Sequence, residues 1–313
     1  RENPTLAGIC HFNAMDTVPS PQGVIDEFFE RKLVSPETWQ KTNGDTIVMI
    51  DLPFENRCFT SGDSVECGIF VSDFSHPHFK SPVLRWELTS PDGEVSSGQS
   101  VPEHVPFRSY RAGFIKTVLP ETDKPMVATF RCFLEEPAGE DSREISNEWR
   151  IWVFPEIAGP EDGVVRFCDT EDSWVTRFGA VCALPHQSAR HSEIEEIDID
   201  SVRLLITDTL KPRITRYLIR GGPVLLAAVE GIVRPMRSKL DGGRGHYFFT
   251  PPANYPPYED GLNATVIKSH RSLGDFPHEG FADLQFIRMI GNAPPLDIEP
   301  LNLTRFDPIV RAV

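Results

Sequence analysis

Val65-Glu66-Cys67-Gly68-Ile69-Phe70-Val71 and, after a polar and proline-bearing interval, Val83-Leu84-Arg85-Trp86-Glu87-Leu88 decide the fold of the middle of this chain. Every second side chain in each run is apolar, the period of a strand with one face in a core and the other in water. Tyr110 to Val118 and Met126 to Leu134 repeat the pattern. Ser90-Pro91-Asp92-Gly93 supplies a tight turn, because Pro presets the bend and Asp-Gly tolerates positive φ. About seven such strands between Thr46 and Pro155 predict an immunoglobulin-like antiparallel β-sandwich over residues 47–156. By parity Cys67 and Cys132 face inward, with Trp86 between them in sequence. Two readings follow: an inter-sheet disulfide with its packing Trp, or two small buried thiols.

On the N-terminal side, Leu6 to Asp16 is nearly continuous in apolar character, as a strand covered on both faces would be. After the break at Thr17 to Gln22, residues Gly23 to Leu33 place Val24, Ile25, Phe28, Phe29 and Leu33 on one helical face. Residues 1–46 thus read as a β-loop-α unit that cannot bury its strand alone, and the chain as an excised fragment or processed product. On the C-terminal side, Gly163 to Cys168, Ser201 to Thr207 and Pro223 to Ala228 read as strands. Pro212 to Ile219 reads as a helix closed by Gly221-Gly222. Successive β-α-β elements predict a parallel, flavodoxin-like α/β domain over residues 157–313.

With 31 Lys and Arg against 46 Asp and Glu, the net charge of −15 repels phosphate backbones and anionic lipid, so no nucleic acid partner is expected. No apolar run approaches about 18 residues, and nothing reads as a membrane span or signal peptide. The six cysteines form no Cys-x-x-Cys pair, which argues against a disulfide scaffold and a clustered zinc motif. His76-Pro77-His78 sets two imidazoles close together, but a metal needs further ligands that the local sequence does not offer. The motif therefore reads as a solvated sandwich loop, and neither metal nor cofactor is expected. The acidic run Glu193 to Asp200, beside His186 and His191, lacks the order of a calcium loop and reads as a charged surface linker. Gly242-Gly243-Arg244-Gly245-His246 reads as a flexible turn. Neither a Gly-x-Ser-x-Gly nor a Gly-x-Cys-x-Gly elbow occurs.

Several of these stretches resemble, in order, the C-terminal part of family 2 type glycoside hydrolases, the β-galactosidase-like enzymes. Ala7-Gly8, Asp16, Pro19 to Gln22, Asp26 to Phe28 and Ser35-Pro36-Glu37 resemble the closing β-α unit of their catalytic barrel. Asn147-Glu148-Trp149-Arg150-Ile151-Trp152-Val153-Phe154-Pro155 resembles the strand that ends their sandwich. Tyr217 to Ala228 is similar to their accessory domain of amidotransferase-like fold. Ser269 to Ala282, with His270, Leu273, Phe276, Pro277 and Gly280, is similar to a later His-Pro and Phe-Pro segment. Two departures stand out: Ser20-Pro21-Gln22-Gly23 replaces a Gly-Gln-Gly loop, and Leu284-Gln285-Phe286 replaces Trp-Gln-Trp.

The resemblance implies a TIM-barrel remnant, a sandwich and an inactive accessory domain. Both catalytic carboxylates of such enzymes come from earlier barrel strands, so no catalytic residue is expected here and the chain alone would not cleave glycosides. Asn13, Asp16 and Gln22, at the edge where barrel sites are built, are the candidate sugar contacts. For Asp16 the other reading is a cap that holds backbone N–H groups of its turn. The resemblance further implies carbohydrate as partner through the parent enzyme's barrel, oligomer contacts through the α/β domain, and a periplasmic or extracellular location. The alternative is a non-catalytic carbohydrate-binding or assembly module that uses Tyr247, Phe248, Phe249, Tyr255 and Tyr258.

Overall fold

The computed structural model describes residues 14–16, 23–32, 34–136, 142–156, 163–167, 187–226, 265–287 and 309–312. Contacts divide the chain into two compact units, one of residues 1–156, 245–293 and 308–313, the other of residues 157–244 and 294–307. Residues 265–287, which the sequence groups with the α/β domain, thus belong to the sandwich unit.

Eight strands build the sandwich: β1 (Thr46–Ile50), β2 (Cys58–Thr60), β3 (Ser64–Asp73), β4 (Val83–Ser90), β5 (Gly93–Ser100), β6 (Arg108–Val118), β7 (Met126–Glu135) and β8 (Glu144–Phe154). One sheet has the order β1-β3-β6 and the other β2-β8-β7-β4-β5. All neighbours are antiparallel except β2 and β8. The alternation read in the sequence is the alternation of burial: Leu84, Trp86 and Leu88 on β4 face the core, as do Val65, Cys67, Ile69 and Val71 on β3. Pro91-Asp92 forms the two-residue turn between β4 and β5, with Gly93 at φ +126° where a side chain would be strained. Asn147 on β8 ties the two sheets together, its amide donating to the Val48 carbonyl of β1 at 3.0 Å.

Cys67 and Cys132 are free thiols inside this core, so the buried-thiol reading holds. Burial pushes them up to about 11 and about 12, which keeps both protonated.

The helix expected over residues 23–33 is not formed in its described part. Asp26 instead captures two backbone N–H groups, of Phe28 and Glu30, each at 2.8 Å. Phe29 takes φ +65°, and Ile25 pairs with Arg31 across the turn. A short carboxylate that satisfies local donors competes with the helical ladder, and here it wins. The helix lies later, α1 (Pro36–Asn43), where Ser35 caps the Thr38 N–H at 3.1 Å and Pro36 takes the first turn.

The second unit holds β9 (Val164–Phe167), β10 (Gln187–Ala189), β11 (Leu204–Thr207) and β12 (Val224–Leu226) in the order β10-β9-β11-β12, all parallel. Between β11 and β12 runs α2 (Pro212–Ile219), at the bounds its Pro start and Gly-Gly end predict. Tyr217 on α2 donates to the Val202 carbonyl at 2.6 Å, and its ring lies so close to Gly222 that a Cβ there would come within 2.3 Å. β13 (Thr265–Ile267) and β14 (Val310–Ala312) form a two-stranded antiparallel ladder in the first unit.

Candidate functional site

Antiparallel pairing in the three-stranded sheet sets Asp73, the last residue of β3, opposite Thr46 of β1 and Arg108 of β6. Two crossovers between the sheets start or end here: residues 74–82 carry the chain from β3 to β4, and residues 101–107 from β5 to β6. The first brings His78, the second His104, to the same carboxylate.

Asp73 is fully buried. Its Oδ1 accepts from Thr46 Oγ1 at 2.6 Å, from Ser75 Oγ at 2.6 Å and from the Ser75 N–H at 3.0 Å. Its Oδ2 faces His104 Nε2 at 3.3 Å and His78 Nδ1 at 3.5 Å. None of these three atoms has a hydrogen-bond partner, and each is sealed from solvent. On the far side of the His104 ring, Nδ1 meets Tyr110 Oη at 3.1 Å. Phe107 packs edge-on against His78 with ring centroids 4.3 Å apart, and its N–H donates to the Asp73 carbonyl at 2.7 Å. It holds φ +59°, an uncommon state for a bulky residue, while 64% exposed.

The electrostatics favour a neutral imidazole beside a charged carboxylate. Burial would raise the Asp73 carboxyl, but hydrogen bonds from the Ser75 and Thr46 hydroxyls and the Ser75 N–H outweigh it and hold the group below its usual range. Burial lowers His104, with His78 and Arg143 acting the same way, against the pull of Asp73 and Glu136. Burial pushes the Tyr110 phenol up to about 12, so it stays neutral. Such a trio can share a proton or hold a cation.

For His76-Pro77-His78 the sequence predicts a solvated loop, and the structure corrects half of that. His76 is exposed, but His78 is turned inward, with 22% of its side chain accessible. The groups that His78 meets there are Asp73 and His104, brought together by the β3 and β6 register and by the two crossovers that return to that end. The nearest local signal is an Asp that closes an alternating strand shortly before the His-Pro-His.

Of the other predicted site residues, Asn13 and Gln22 lie outside the described residues, as do Tyr247, Phe248, Phe249, Tyr255 and Tyr258. Asp16 accepts from the Gly23 N–H at 2.6 Å and from Lys32 Nζ at 3.0 Å, so its carboxylate holds a turn together. His191, which the sequence places beside a surface linker, is buried after β10 and bonds Asp208 at 2.7 Å. Beside it lies a cavity of about 460 Å³ with Lys211, Arg213 and Arg216 in its wall. Arg213 is already engaged there, donating to the Ile194 and Ile197 carbonyls.

In the first unit, the segment of residues 270–286 lies on the last sandwich strand. Phe276 stacks on Phe154 with centroids 5.3 Å apart, and Phe286 meets Phe276 at 5.0 Å. Arg150 binds Glu279 at 2.7 Å and Asp283 at 2.6 Å.

A family model described as a domain of unknown function (DUF8488) matches residues 63–155, which span β3 to β8. No curated protein matches the chain. Among solved structures, the sporulation control protein Spo0M of Bacillus subtilis is 16% identical with a TM-score of 0.24. That likeness covers 36% of this chain and 50% of the other, so the chain spans about half of that protein. A CARDB domain from Pyrococcus furiosus, solved in complex with di-metal ions, is 11% identical with a TM-score of 0.24 and covers 36% of this chain and 94% of its own. The β-glucuronidase of Parabacteroides merdae is 10% identical with a TM-score of 0.23, over 58% of this chain and 23% of that one. These are distant and partial backbone likenesses.

Proposed function

We propose that this chain is the non-catalytic C-terminal accessory region of a β-galactosidase-like glycoside hydrolase, a sandwich and a flavodoxin-like domain that support a barrel carrying the chemistry. The observation that carries this reading is a contact between two stretches singled out separately for the same resemblance. Asn147 to Phe154 of the first stretch lies in β8, the last sandwich strand, and Ser269 to Ala282 packs on it through Phe276 against Phe154 and Glu279 against Arg150. Segments more than a hundred positions apart thus meet as parts of one wall, which supports reading them as one region. In this reading carbohydrate is bound by the parent enzyme's barrel, with Asn13, Asp16 and Gln22 at its edge, and the α/β domain contributes oligomer contacts.

The test is the coding sequence upstream of Arg1. Two β-α units, each with a Glu at a strand's C-terminal end, are expected there. An upstream sequence without barrel strands overturns the reading. Chromogenic glycosides with the chain alone should show no turnover, while a longer polypeptide that restores the upstream units should hydrolyse at least one.

A further inference from the structure

We infer that Asp73, His78 and His104 form a binding site for one divalent transition-metal ion, Zn²⁺ or a metal of similar preference, that pins both inter-sheet crossovers to the end of β3. Nothing in the accessory role proposed above calls for it, and it stands on geometry of its own.

Three buried donors without hydrogen bonds, aimed at one another, are the primary observation. Each such atom costs about 1–3 kcal/mol when left unbonded, so a fold that gathers three in one place is strained unless something bonds them together. An N–H on each imidazole would have to reach Oδ2 over 3.3 and 3.5 Å, longer than the about 2.7–3.2 Å of an ordinary N–H···O bond. A cation satisfies all three, and the donor atoms already lie within 4.8 Å of one another.

The distances fit a small ion. Zinc binds imidazole nitrogen and carboxylate oxygen at about 2.0–2.2 Å, so two ligand atoms on a tetrahedral centre stand about 3.3–3.5 Å apart. Asp73 Oδ2 stands 3.3 Å from His104 Nε2 and 3.5 Å from His78 Nδ1. Only the two imidazoles need draw together, and both are on crossover segments rather than in ladders.

The outer shell is that of a ligand set. Oδ1 of Asp73 takes three hydrogen bonds, which fix the plane of the carboxylate and leave Oδ2 to bind. When His104 Nδ1–H donates to Tyr110 Oη, the Nε2 lone pair points inward, as metal binding needs.

Ligand type narrows the metal. Two imidazoles and one carboxylate suit Zn²⁺, Co²⁺, Fe²⁺ or Ni²⁺, whereas Ca²⁺ and Mg²⁺ prefer all-oxygen shells. Three protein ligands leave one position for water or an added donor. His76 stays outside the trio, exposed, with its ring centroid 6.2 Å from that of His78.

The experiment uses the full chain, stripped with a chelator and titrated with Zn²⁺ by calorimetry. One equivalent is expected, with a zinc-dependent rise in melting temperature. His104→Ala and His78→Ala should each abolish stoichiometric binding while circular dichroism stays unchanged, and His76→Ala should bind as the parent does. Tyr110→Phe should weaken affinity by about 10–100-fold. X-ray absorption at the zinc edge of the unsubstituted protein needs no variant: it should show a nitrogen and oxygen shell with imidazole scattering. No binding, binding that survives both histidine substitutions, or a sulfur shell overturns the inference.

Discussion

Trp86 on β4 lies flat over Gly98 on β5: the two are cross-strand partners, and a Cβ built on Gly98 would stand 2.7 Å from the indole Nε1. An edge-strand glycine here is the floor on which a core tryptophan rests. Substitution therefore displaces Trp86, which is only 8% exposed and packs among Cys67 and Cys132. Gly98→Ala should cost about 1–3 kcal/mol by overpacking, seen as a lower urea midpoint with an unchanged slope. Gly93→Ala should cost as well, but through backbone strain at the turn and with no change in tryptophan fluorescence.

The wall built by residues 270–286 rests on Phe286, which is 2% exposed and joined to Phe154 through Phe276. Phe286→Ala should destabilise the first unit by about 3–5 kcal/mol, with limited proteolysis cutting first within residues 265–287. Glu279→Ala removes one partner of a half-exposed Arg150 and should cost less than about 1 kcal/mol, fading with added salt. A loss for Glu279→Ala as large as that for Phe286→Ala would show that charge, not ring packing, holds the segment.

Strand existence was legible because the main sandwich strands keep a period of two over most of their length: Leu84, Trp86 and Leu88 announce both the strand and its inward face. The helix α2 was legible from Pro212 and Gly221-Gly222. Gly23 to Leu33 shows where periodicity fails, since its apolar spacing suits a helix but one Asp26 carboxylate redirects the backbone. The trio of Asp73, His78 and His104 was illegible for another reason. Its members join only through the pairing of β3 with β6 and the return of two crossovers to the same end, relations that no local window contains.

Cys67 and Cys132 offer a check on the core itself. Burial holds both thiols protonated, and a protonated thiol is a poor nucleophile. Alkylation of the native protein at pH 8, read by peptide mass mapping, should leave both unmodified while the half-buried Cys58 is labelled sooner. In urea above the unfolding midpoint all three should react at similar rates. Early labelling of Cys132 in the native state would mean that the sheets separate far more readily than their packing implies.

The Asp73 and His104 pair predicts how the metal-free protein responds to acid. His104 titrates below its ordinary 6.5 in the fold, so as pH falls through that value the unfolded chain takes up a proton the folded one refuses. Stability therefore declines from about pH 6.5 downward until the folded imidazole is itself protonated. The Asp73 carboxyl, also depressed, acts lower: its contribution is intact above its ordinary 3.8 and is lost as pH drops through the folded value. Two losses of the same sign should thus follow one another in urea midpoints measured in chelator between pH 7.5 and pH 3. His104→Gln should remove the upper loss and leave the lower, and Thr46→Val with Ser75→Ala should do the reverse, because those hydroxyls are what hold Asp73 ionised. If the midpoint of the parent stays flat between pH 7 and pH 5, the buried neutral imidazole on which the site's chemistry depends is not there.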